Sequence, residues 1–264
     1  MGSNDHTGSG SALNRLARTL LTVVLATGGL GGCSAATPAD GGKLTVFAAA
    51  SLKTAFSDIG AQFTTDNPGT EVEFSFAGSA DLATQLTQGA PADVFAAADG
   101  RTMSRVEQAG LLAGPAVTFA SNTLTIVVAP GNPKRINSFQ DLTQAGLAVV
   151  VCAPQVPCGS ATQQVQEAAG TRLNPVSEES QVTDVLNKVV TGQADAGLVY
   201  VTDARAAGAS VTAVAFPESA RASNTYPIAV LTDAQNPELA QKFVDLVTGA
   251  AGRTILSAAG FANP

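Results

Sequence analysis

Three segments place a serine where a strand-like run gives way to a helix start: Ala48-Ala49-Ala50-Ser51-Leu52, Phe76-Ala77-Gly78-Ser79-Ala80 and Pro157-Cys158-Gly159-Ser160. A helix N-terminus carries about half a positive charge on amides that lack intrahelical partners, so each junction suits an anion. A hydroxyl placed there either caps its own helix or donates to a ligand, and for a single serine capping is the commoner use. Several such junctions meeting at one point would instead form a cage of donors. Covalent chemistry fits these residues poorly. The one histidine, His6, lies near the N-terminus, and neither a Gly-x-Ser-x-Gly elbow nor a Ser-x-x-Lys pattern occurs. An exported hydrolase using Ser51, Ser79 or Ser160 would therefore have no histidine base, and the chain reads as a non-enzyme.

Composition narrows the ligand further. Twenty-one acids against 14 bases give a net charge of −7 with no long basic run, which argues against nucleic acid. With no Trp and two Tyr, an aromatic-lined pocket for a sugar or an organic cation is not expected. At 264 residues and 45% hydrophobic the chain can fill one large core or two lobes.

The N-terminus carries an address. Arg15 and Arg18 precede the uncharged stretch 19–32, which is too short to span a bilayer as a helix but suits the core of a signal peptide. It ends Leu30-Gly31-Gly32-Cys33, which resembles the lipobox of bacterial lipoproteins. That resemblance implies a leader over 1–32, a lipid on Cys33, a flexible tether over 33–42, and a mature chain held at the outer face of the cell membrane. Loss of the leader leaves 12 bases against 20 acids, a net −8. It also leaves an even pair of cysteines, Cys152 and Cys158, in an oxidising compartment. They read as a disulfide across a proline-stiffened loop or as two unpaired small residues in a turn.

The elements that must position the junctions alternate along the chain. Residues 43–50 form an apolar run of the kind that fills a buried parallel strand. Leu52, Ala55, Phe56, Ile59 and Phe63 then recur at helical spacing, with Ser51 at the N-cap position. The spacing predicts further strands over 71–76, 92–98, 123–129, 147–151, 196–201, 211–216 and 226–231. Helices are expected from Ser79, over 101–109 and 160–169, around Val182 to Val189, and in two patterns after Pro237. This β-then-α order means an α/β fold with largely parallel sheets, whose ligands sit at the carboxyl ends of strands.

Four segments carry a resemblance. Val46-Phe47-Ala48-Ala49-Ala50-Ser51-Leu52, Phe74-Ser75-Phe76-Ala77-Gly78-Ser79, Gly89-Ala90-Pro91-Ala92-Asp93-Val94-Phe95 and Gly197-Leu198-Val199-Tyr200-Val201-Thr202-Asp203-Ala204 occur in order. Together they resemble the molybdate-binding proteins of ABC-type molybdate importers, from about Lys43 to Phe261. The resemblance implies a two-lobed periplasmic binding protein fold of type II, each lobe a mainly parallel sheet flanked by helices. Lobe one would comprise 43–124 and 226–264, and lobe two 125–225, with hinge crossings near 122–126 and 224–228. It implies capture of molybdate or tungstate by hydroxyls and backbone amides without a charged counter-ion. Ser51 and Ser79 match the hydroxyl donors of lobe one, Val182 a backbone donor and Tyr200 a phenol donor. The remaining amide belongs to an alanine in the family's Val-Pro-Ala-Gly turn, where this chain reads Val156-Pro157-Cys158-Gly159. The family further implies a permease and an ATPase as partners, no cofactor and a monomeric state.

Three other ligands share this fold class. The alternative within the fold is another tetrahedral oxyanion such as sulfate or phosphate, and sulfate, like molybdate, is fully ionised near pH 7. Phosphate sites commonly include a carboxylate acceptor, and the one acid beside these motifs, Asp81, suits the first turn of a helix. A ferric site would need clustered tyrosines, whereas Tyr200 and Tyr226 are far apart in sequence.

Overall fold

The computed structural model describes residues 41–264, organised around two five-stranded sheets. The expected leader, the lipidated Cys33 and most of the tether lie outside the described residues. In the first sheet, β1 (Lys43–Ala49), β2 (Glu71–Ala77) and β3 (Val94–Ala96) run parallel, joined through α1 (Lys53–Asp66) and α2 (Ser79–Thr87). Then come α3 (Gly100–Gln108) and β4 (Val117–Asn122). One residue further on, β5 (Leu124–Val128) already belongs to the second sheet. That sheet continues with β6 (Val149–Cys152), α4 (Pro157–Ala169), β7 (Ser177–Glu179), α5 (Val182–Val190), β8 (Ala196–Tyr200), α6 (Val201–Ala207) and β9 (Thr212–Val214). The chain returns as β10 (Asn224–Val230), which inserts between β3 and β4, and ends with α7 (Pro237–Thr248) and α8 (Ala250–Ala259).

The strand orders are β2-β1-β3-β10-β4 and β7-β6-β8-β5-β9. Each sheet is mixed, with four strands running one way and a single strand against them. In the first, β10 is antiparallel to both its neighbours; in the second, β5 is antiparallel to both of its own. These are the two strands that enter from the opposite sheet. Neither arrives through a β-helix-β crossover, so nothing forces it to run parallel.

Strand β1 shows how the pattern fixes the layers. Val46 and Ala48 pack with Phe56, Ile59 and Phe63 of α1 and Phe243 of α7, while Phe47 turns to the opposite face with Leu82 and Val106. A strand covered on both faces has little room for polar side chains, which is why residues 46–50 read as a continuous apolar run. The second sheet is filled in the same way, with Val150, Val185, Val189 and Leu198 among its buried residues. Among the described residues, no helix is long and apolar enough to cross a membrane.

Candidate oxyanion site

The carboxyl ends of β1, β2, β6 and β8 meet around a cavity of about 20 Å³. Ser51, Ser79, Cys158, Val182 and Tyr200 all line it, the first two from one sheet's connections and the other three from the other's. No Lys, Arg, Asp or Glu is among its lining residues. Another recess, about 380 Å³, lies over the C-terminal end of α4 around Gln166, Thr171 and Arg172, away from every expected site residue.

Each hydroxyl is held from behind. Ser51 does not cap α1 as the sequence suggested. It lies within a 3-10 turn over Ala50–Leu52, Leu52 takes the N-cap position, and neither helix has a side-chain cap. The tight turn carries the Ser51 hydroxyl away from the α1 amides, to 3.0 Å from the hydroxyl of Tyr226. Ser79 is the first residue of α2, and its Oγ accepts the N–H of Ala98 at 3.0 Å. With that acceptor position occupied, the Ser79 proton is left to donate. Tyr200 ends β8, and its Oη accepts from Asn224 Nδ2 at 2.9 Å. Burial first, and the neighbouring Tyr226, Asp99 and Asp203 after it, push the Tyr200 phenol well above its ordinary pKa. It is a neutral donor throughout the physiological range.

The amides come from helix starts. Val182 is the first residue of α5, and Cys158 follows Pro157 in the first turn of α4, so both N–H groups fall outside the intrahelical ladder. Helix α4 begins three residues earlier than its spacing predicted, because Pro157 suits the first helical position. The Cys158 Sγ is joined to that of Cys152, the last residue of β6. Gly159 lies so close to this loop that a Cβ there would sit 1.8 Å from the Ala153 carbonyl oxygen, which only glycine permits.

Several residues around the site escaped the sequence reading. Asn224, Tyr226 and the Ala98 N–H orient the hydroxyls, yet none belongs to a junction motif. The two tyrosines judged distant in sequence have ring centroids 6.0 Å apart. Asp81 is exposed in the first turn of α2 and does not line the cavity. Behind Tyr200, the buried Asp203 carboxyl accepts the Tyr200 N–H at 3.0 Å, and burial raises its pKa from 3.8 to about 7. The two sides also approach closely at the rim. Arg101 donates to the Gln155 carbonyl at 3.1 Å, and a Cβ on Gly78 would stand 2.5 Å from the Ser180 carbonyl oxygen.

A pocket of oriented dipoles, with no acid, base or nucleophile pair, can hold an anion and release it unchanged. Residues 44–262 match the family described as bacterial extracellular solute-binding protein. Over 232 residues the chain is 61% identical to the molybdate-binding protein ModA of Mycobacterium tuberculosis strain H37Rv, covering 88% of this chain and 89% of that one. The chain belongs to this solute-binding family. Its fold is that of the type II periplasmic binding proteins. The Azotobacter vinelandii periplasmic molybdate-binding protein superposes with a TM-score of 0.73 at 23% identity, covering 84% of this chain and 99% of that one. The sulfate-binding protein SubI of Mycobacterium tuberculosis superposes with a TM-score of 0.74 at 20% identity, covering 84% and 86%. An extracellular solute-binding protein works outside the cytoplasm.

Proposed function

We propose that this protein captures molybdate or tungstate between two lobes and delivers it to the permease and ATPase of an ABC importer. The observation that carries the reading is the convergence of three backed hydroxyls and two helix-start amides, from both sheets, on one small uncharged cavity. Ser51, Ser79 and Tyr200 donate protons, and Cys158 and Val182 donate backbone N–H groups. A charge-assisted hydrogen bond contributes about 1.5–3 kcal/mol. Five of them support binding tighter than about 1 μM, or −8 kcal/mol, after association costs are met. The 61% identity to a protein named for molybdate binding supports the choice of oxyanion.

The donor-only character also sets what is refused. Ser79 Oγ and Tyr200 Oη already accept from Ala98 and Asn224, and no carboxylate lines the cavity to take the O–H of a protonated anion. Hydrogenphosphate is therefore disfavoured, and sulfate must be separated by the size of the cage. In this reading the expected lobe boundaries at 124/125 and 225/226 move back by one or two residues, so that β5 lies wholly in lobe two and β10 wholly in lobe one, and a lipid on Cys33 holds the monomeric mature protein to the membrane surface.

Thermal unfolding of the mature chain with equal concentrations of oxyanions tests the reading. Molybdate and tungstate should raise the Tm by several degrees, and sulfate and phosphate should not. A larger rise with sulfate would replace molybdate by sulfate as the ligand.

A further inference from the structure

Asn224 opens β10 at the point where the chain re-enters the first sheet, paired with Asn122 at the end of β4. Its side-chain nitrogen reaches three atoms: the Ala98 carbonyl oxygen at 2.8 Å, Tyr200 Oη at 2.9 Å and the Pro157 carbonyl oxygen at 3.4 Å. Ala98 follows β3 of the first sheet, whereas Pro157 and Tyr200 come from connections and strands of the second. Two of these atoms are carbonyl oxygens, which only accept, so the nitrogen of the amide must face them rather than its oxygen. An amide nitrogen has no lone pair to offer a phenol. Tyr200 is therefore the acceptor in its bond with Asn224, and its proton is left for another partner. Two groups compete for that proton, an anion in the cavity and the neighbouring Tyr226, whose ring centroid lies 6.0 Å from that of Tyr200. A charged acceptor wins over a neutral one.

We infer that Asn224 is a positioning residue for the anion, fixing the Tyr200 oxygen from behind so that the phenol proton points into the cavity. Because the same amide also holds Ala98, the phenol is aimed only while the two walls of the site lie together. Lobe closure and donor direction are thereby one event. This inference rests on the reading of the cavity as an oxyanion cage.

Calorimetric titration of molybdate into the wild type, Asn224→Ala, Asn224→Asp, Tyr200→Phe and the double variant Asn224→Ala/Tyr200→Phe tests it. Asn224→Ala should weaken binding about tenfold. Asn224→Asp, nearly isosteric, should weaken it more, since its carboxylate takes the Tyr200 proton and adds a negative charge. In the Tyr200→Phe background the loss from Asn224→Ala should fall below about threefold, because the proton it aims is gone. Should Asn224→Ala not fold, a folded Asn224→Asp that binds as well as the wild type would overturn the inference by itself. Equal losses in both backgrounds would make Asn224 a structural residue only and overturn it. A wild type that takes up no molybdate would instead overturn the cage reading, and this inference with it.

Discussion

Replacing Ser79 with alanine removes one donated proton from the cavity and leaves the buried Ala98 N–H without its acceptor. Both effects act together, so Ser79→Ala should weaken molybdate binding by about 1–3 kcal/mol and also lower the Tm. Ser51→Ala and Tyr200→Phe should each weaken binding by about the same 1–3 kcal/mol. Val182→Ala should change little, because the proposed cage uses only its backbone N–H at the start of α5. Titration of the four variants checks the ranking, and a Val182→Ala loss larger than that of Ser79→Ala would contradict the assigned roles. The serines were legible because each follows a strand-like run, where the fold class puts its ligands. Their supports were not. Tyr226 stands 175 residues from Ser51, and no local spacing points from one to the other.

At the scale of elements, the approach of α2 to the start of α5 depends on Gly78, where any side chain meets the Ser180 carbonyl oxygen. Gly78→Ala should hold the two walls apart, weakening binding at least about tenfold while each sheet keeps its own core. Small-angle scattering with molybdate present should show a more extended molecule than the wild type; an unchanged profile and affinity would refute this. The loop between β6 and α4 is closed by Cys152–Cys158 into a ring of seven residues, for which chain entropy gives about 2 kcal/mol. The ring also holds the Cys158 N–H at the cavity wall, so reduction should lower molybdate affinity with the circular dichroism unchanged. Unaltered affinity would leave the bond a purely structural one. Long buried runs such as β1, β5 and β8 were legible from their apolar content. The strands β4 and β7 were not, because each lies at the edge of its sheet with polar residues outward, and Ser177-Glu178-Glu179 carries no strand pattern at all. The 3-10 turn that frees Ser51 was equally hidden, since the α1 periodicity runs on through Leu52 without a break.

Across the whole molecule, two charge effects follow from the same structure. Asp203 has its carboxyl raised from 3.8 to about 7 by burial, so the folded state keeps a proton that the unfolded chain releases between those values. Its contribution is fully present below about pH 4 and is lost as the pH rises towards 7, by about 4 kcal/mol in all. Asp203→Asn, which keeps an oxygen for the Tyr200 N–H, should remove that fall from a urea-denaturation series over pH 4–8; an identical pH profile would refute it. The second effect concerns the ligand. A chain of net charge −7 draws no anion by its overall field, so binding must come from the site itself. Raising NaCl should then leave the molybdate Kd within about twofold. The most direct measurement is a calorimetric titration of molybdate into the mature protein, repeated in the presence of millimolar sulfate. One molybdate per chain, bound with submicromolar affinity and undisturbed by sulfate, is the predicted result. Sulfate binding equal to or tighter than molybdate, or no saturable uptake of either, would contradict it.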